Sequence, residues 1–110
     1  MATYLFQVAY SADAWAAMLK HPQDRTEAVK KAIEKLGGKI GSFWFAFGEY
    51  DFVGILDMPD NVSAAAFGMA VAAGGACKSV KTTPLLSVAD GLKAMKKAGN
   101  SGYKPVNKKK

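Results

Sequence analysis

Lys39-Ile40-Gly41-Ser42-Phe43-Trp44-Phe45-Ala46-Phe47-Gly48-Glu49-Tyr50-Asp51-Phe52-Val53-Gly54-Ile55-Leu56-Asp57 is two aromatic and β-branched runs either side of Gly48-Glu49. Such runs read as strands, Lys39 to Phe47 and Tyr50 to Asp57, and a glycine at the first of two central positions suits a type II′ hairpin turn. A turn at Gly48-Glu49 pairs Phe47 with Tyr50, Phe45 with Phe52 and Phe43 with Gly54, which puts five aromatics on one face. Trp44, Ala46, Asp51, Val53 and Ile55 take the other face, so that neither face is solvated except at Asp51.

Reading outward toward the N-terminus, Thr3 to Tyr10 is a strand with Tyr4, Phe6, Val8 and Tyr10 on one face and Leu5, Gln7 and Ala9 on the other. A short helical turn opens at Ser11 or Asp13, carries Trp15, Met18 and Leu19 on one side and stops before Pro22. A second helix has Asp24 as its N-cap with Glu27 three residues on, an apolar stripe of Val29, Ala32, Ile33 and Leu36, and Gly37-Gly38 as its stop. Toward the C-terminus, Asp60 or Asn61 caps a helix from about Val62 to Ala73. That helix has no charge after Asp60 and is therefore expected to be buried on most of its circumference. A fourth strand over Cys77 to Thr82 follows, with Pro84 marking an edge or bulge. Ser87, with Asp90 three residues on, caps a last helix bearing Val88, Leu92 and Met95.

The order is β-α-β-β-α-β plus a C-terminal helix, the split βαβ arrangement of an α+β, ferredoxin-like domain with a four-stranded antiparallel sheet. Residues 1–99 form the domain and 100–110 a disordered, Lys-rich tail. Helices can cover only one face of the sheet, and the second face would expose more apolar surface than a monomer tolerates. The expectation is a homodimer, sheet face on sheet face, or a higher assembly built from it.

Composition narrows the function. The chain has 110 residues, 50% hydrophobic and 22% charged, and a net charge of +6. Seven of its 15 basic residues follow Asp90, where no acidic residue remains, so residues 1–92 hold eight basic and nine acidic side chains. A near-neutral body with a basic tail argues against nucleic acid as partner, and Arg25 is the single arginine. No apolar run has the ~18 residues a membrane span requires, and Met1-Ala2-Thr3-Tyr4 lacks the basic start of a signal peptide. A cytoplasmic location is expected. One cysteine, Cys77, and one histidine, His21, supply neither a disulfide nor a zinc site, and no cofactor motif is present.

Phe45-Ala46-Phe47-Gly48-Glu49-Tyr50-Asp51-Phe52-Val53 resembles the signature of the GYD-domain proteins, in which Gly, any residue, Tyr and Asp head the third strand. Trp15 to Arg25 with its Lys-His-Pro-Gln-Asp-Arg ending, Pro59-Asp60-Asn61, and Ser79-Val80-Lys81-Thr82-Thr83-Pro84-Leu85-Leu86 are similar to that family too. The resemblance covers about residues 3–98. It implies the fold of the dimeric α+β barrels, small proteins that dimerise through their sheets, and it brings no settled activity.

Candidate chemistry is sparse. Asp51 among Trp44, Val53 and Ile55 is a candidate to carry a proton; the bland reading is a strand-end carboxylate accepting backbone N–H bonds near the turn. Tyr50 could donate its hydroxyl to a ligand, or simply pack on Phe47. Histidine titrates near neutrality, and His21 lies in a loop between Lys20 and Pro22. Arg25 and Lys81 are candidates for an anionic group. Arg25 at the first turn of a helix opposes the helix dipole, so a carboxylate partner such as Asp60 or Asp51 is expected. A lone buried thiol such as Cys77 is inert packing. The expected function is binding of a small apolar or aromatic molecule between helices and sheet, near Trp15, Trp44, Tyr50 and Asp51, with Arg25 and Lys81 as further contacts. The alternative is a cofactor-independent isomerase or oxygenase in which Asp51 or His21 moves the proton and Tyr50 orients the substrate.

Overall fold

The computed structural model describes residues 1–106, and the last four residues of the expected Lys-rich tail lie outside the described residues. The elements are β1 (Ala2–Tyr10), α1 (Ala12–Lys20), α2 (Thr26–Lys35), β2 (Lys39–Phe45), β3 (Phe52–Met58), α3 (Asn61–Ala73), β4 (Cys77–Leu85) and α4 (Val88–Gly99). The four strands form one antiparallel sheet in the order β2-β3-β1-β4. This is an α+β fold of the ferredoxin-like kind, with α1 and α2 replacing the first single helix.

Short polar side chains start the helices by taking backbone N–H groups that have no partner within the helix. Ser11 Oγ accepts from Ala14 N at 3.1 Å, Asp60 Oδ1 from Ser63 N at 2.8 Å and Ser87 Oγ from Asp90 N at 3.0 Å. Asp24 serves α2 from one position earlier than expected. Its Oδ1 accepts from Thr26 N at 2.8 Å, and Arg25 occupies the cap position with no side-chain bond to the helix. Gly37 ends α2 with φ at +86°, a conformation that a Cβ would strain.

The hairpin differs from its expected form in the turn and agrees in the register. Phe45 pairs with Phe52 and Phe43 with Gly54, as the spacing predicts. The strands, however, stop at Phe45 and restart at Phe52. Ala46 N–H donates to Asp51 O at 2.8 Å, which leaves Phe47 to Tyr50 as a four-residue loop with Phe47 fully exposed. Phe47 therefore does not pair with Tyr50, and the five-aromatic face shrinks to Phe43, Phe45 and Phe52. The cause is a competing interaction: Asp51 N–H is used on Val8 O at 2.8 Å, and its side chain is used on β1 as well. A bulge at Gly41, between the Ile40–Leu56 and Ser42–Ile55 pairs, lets Ile40 and Phe43 both turn to the helices despite their odd spacing.

The core lies between that face and the helices. Tyr4, Phe6, Val8, Phe52, Leu56 and Met58 from the sheet meet Ile33 of α2 and Ala64 and Phe67 of α3. Each of the larger apolar side chains contributes about 1.5–3 kcal/mol by leaving water. Tyr4 is buried together with its hydroxyl, which donates to Asn61 Oδ1 at 2.6 Å. Strand β4 runs past its expected end, through Pro84 opposite Tyr4. As the outer strand it has one free edge, where a missing N–H costs nothing.

Two helices depart from the packing expected of them. Only Ala64 and Phe67 of α3 are buried, and Val62 and Met69 face outward, so this uncharged helix is covered along one side rather than most of its circumference. Helix α4 has no buried residue, and Val88, Leu92 and Met95 stand exposed along it. The radius of gyration is 18.0 Å, against about 13 Å for a compact chain of this length. No helix among the described residues is long and apolar enough to cross a membrane.

Candidate functional site

Helices α1, α2 and α3 do not close over the end of the sheet where β1 finishes and β4 begins, and a cavity of about 410 Å³ remains. Its floor is apolar: Phe6 and Val8 of β1, Phe52 of β3, and Phe67 and Val71 of α3. Ala14, Ala17 and Met18 of α1 form one wall and Val29 of α2 another, while Ala70, Gly74 and Ala76 are too small to fill the space. The size falls within the range of small-molecule sites, ~300–1,000 Å³. A shallower extension of about 180 Å³ runs between α2 and α3 past Ala28, Ala32 and Val71.

Polar groups enter at four positions: Tyr10, Gln23, Arg25 and Cys77. Among the lining residues Arg25 is the one that carries a charge. Burial pushes the Tyr10 hydroxyl above its ordinary value of 10.0; Cys77 and Asp51 push the same way, and Arg25 pulls against them. Burial likewise raises the Cys77 thiol, with Asp51 adding to the effect, so Cys77 sits in the cavity wall as a neutral thiol. Tyr10 and Cys77 face each other across the β1–β4 ladder, where the register slips after Ala9.

Asp51 lies behind this end wall. Its Oδ2 accepts from Tyr10 N at 2.8 Å and from Trp15 Nε1 at 3.3 Å, while the Trp15 ring stands edge-on to Tyr10 at 84° with centroids 5.4 Å apart. One carboxylate thus fixes the backbone of a lining residue and the indole that packs on it. This is the strand-end role, an acceptor of N–H bonds at the hairpin.

The other candidate residues are dispersed. Trp44 is exposed on the sheet face away from the helices, its indole donating to Ser42 Oγ at 3.2 Å. Lys81 lies on that same face, opposite Gln7. Tyr50 is half-buried in the hairpin loop, and His21 is the exposed C-terminal cap of α1. Arg25 lines the cavity, and neither Asp51 nor Asp60 pairs with it: among the described residues the one ion pair is Lys93–Asp90, 3.9 Å apart. No cluster of three potential metal ligands occurs among the described residues.

Sequence reasoning missed Tyr10, Gln23 and Val29 as lining residues. Tyr10 had a visible signal, because it continues the Tyr4, Phe6, Val8 alternation onto the helix face. Gln23 had none, since its place depends on how the loop between α1 and α2 descends.

The GYD domain family matches residues 4–96 of the chain. Among curated proteins, none matches it.

Proposed function

We propose, from the premise that this chain belongs to the GYD-domain family, that it binds a small apolar or aromatic molecule in the cavity between α1, α2, α3 and the sheet. The cavity itself carries this reading. A well-packed core leaves few voids larger than a water molecule, whereas here about 410 Å³ is kept open beside Phe6 and Phe67 by Ala14 and Ala17 of α1, Ala70 of α3 and the Gly74 and Ala76 that follow it. Asp51 serves as a positioning residue for Tyr10 and Trp15. The test is a titration of the ¹⁵N-labelled protein with a neutral probe, methyl phenylacetate. Saturable shifts at Tyr10, Val29 and Phe67, abolished when Ala17→Trp fills the space, are expected; shifts that are absent or unchanged in Ala17→Trp contradict the reading.

The protein acts, in this proposal, as a homodimer in which a second copy covers the sheet face opposite the helices. Leu5, Trp44, Val53 and Ile55 lie on that face, and the apolar side of α4 is likewise without cover within the chain. Burying both removes a patch that a soluble monomer rarely displays. The free thiol of Cys77 fits a reducing compartment, in keeping with a cytoplasmic location.

A further inference from the structure

Arg25 occupies a position that favours the opposite charge. The cap of a helix N-terminus sits at the positive end of the helix dipole, where acidic and small polar residues are preferred. In α2 it is an arginine without a side-chain bond to the helix. Neither carboxylate expected to pair with it does so: Asp51 Oδ2 holds Tyr10 N and Trp15 Nε1, Asp60 Oδ1 holds Ser63 N, and Asp24, one residue before it, holds Thr26 N. A guanidinium with no ion pair among the described residues therefore stands at the rim of a cavity whose floor is apolar and whose wall has no acidic residue.

We propose that the ligand of this cavity is a small aromatic or alicyclic monocarboxylic acid, its ring against Phe6, Val29 and Phe67 and its carboxylate on the Arg25 guanidinium, with Tyr10 and Gln23 as further donors. The proposal rests on the cavity being a small-molecule site, as argued above. A guanidinium matches a carboxylate with two parallel N–H···O bonds. A single cation, with no lysine among the lining residues, suits one negative charge better than a phosphate or a dicarboxylate. The raised Tyr10 hydroxyl keeps its proton throughout the neutral range and so donates to an anion. Sugars and other polyols are disfavoured, because the floor presents no hydrogen-bonding groups to their hydroxyls.

The test compares phenylacetate with its methyl ester, which keeps the ring and loses the charge, by NMR titration of the full-length protein at neutral pH. Wild type is expected to bind the acid about tenfold or more tighter than the ester. Arg25→Met keeps the aliphatic stem and should erase that preference; Arg25→Lys should restore part of it. The spectra report folding of each variant directly, and the wild-type comparison needs no variant. Equal binding of acid and ester, or a preference that survives in Arg25→Met, overturns the assignment and leaves the apolar pocket standing. Binding of neither compound overturns both.

Discussion

The Trp15 indole N–H and the Asp51 carboxylate meet at 3.3 Å, and the same oxygen takes the Tyr10 backbone N–H at 2.8 Å. This shared acceptor ties α1 to the end of the sheet at the point where the cavity begins. Without it, α1 would rest on the body through the half-buried Ala14, Trp15 and Met18, since none of its residues is fully buried.

Removing the acceptor should therefore be felt as a unit. Asp51→Ala strands two donors in a half-buried setting and is expected to cost about 1–3 kcal/mol of stability. Trp15→Phe removes one of the two bonds, and the double variant should be less destabilised than the sum of the singles by about 0.5 kcal/mol or more. Urea unfolding of the four proteins measures this, and strict additivity would contradict it.

Gly54 is predicted to resist substitution. Its strand partner is Phe43, whose ring lies over the glycine where a Cβ would stand, and that ring in turn packs on Phe52 at 4.9 Å. Gly54→Ala drives the ring off this contact and should destabilise by about 1–3 kcal/mol. A matching Gly91→Ala exchange on α4, where a Cβ meets nothing, serves as the control and should be neutral or stabilising.

Alkaline pH should weaken the fold in two stages. Cys77 and Tyr10 are neutral when protonated, and burial raises both in the native state above their ordinary values of 9.0 and 10.0. The native state thus holds these protons more tightly than the unfolded chain. Stability is whole below about pH 9 and falls as pH rises through each native-state value. Denaturant midpoints from pH 7 to 11 should show the decline, and Cys77→Ala should move its onset from about pH 9 toward about pH 10.

Assembly is open to direct test by sedimentation. The protein should run as a dimer at micromolar concentration, and Trp44→Glu, which sets a charge on the edge strand β2 of the uncovered face, should weaken the dimer at least tenfold. Leu92→Glu on α4 should act in the same direction. A monomer at these concentrations would leave Leu5, Val53 and Ile55 partly exposed and would contradict the proposal.

Much of the fold was legible in local chemistry. Ser11, Asp60 and Ser87 announce helix starts because each can accept an N–H from within the first turn, and the alternation of Tyr4, Phe6 and Val8 names the core face of β1. The hairpin turn was not legible, because Gly48-Glu49 meets every local rule for a tight turn. Asp51 is drawn to β1, 41 residues away from Tyr10, and opens the loop to four residues. Gly41 carried a usable sign of the bulge that turns Ile40 inward. Of the residues expected to meet a ligand, Arg25 lines the cavity. Tyr10, Gln23 and the unpartnered Arg25 depend on how three helices settle on the sheet, which no periodicity records.

A crystal structure of the protein grown with methyl phenylacetate decides whether the space beneath α1, α2 and α3 is a ligand site. Ordered density for the ring is expected between Phe6, Val29 and Phe67, with Asp51 still bonded to Tyr10 and Trp15. A structure in which Met18 and Phe67 close the space, with the compound absent or bound only elsewhere, would contradict it.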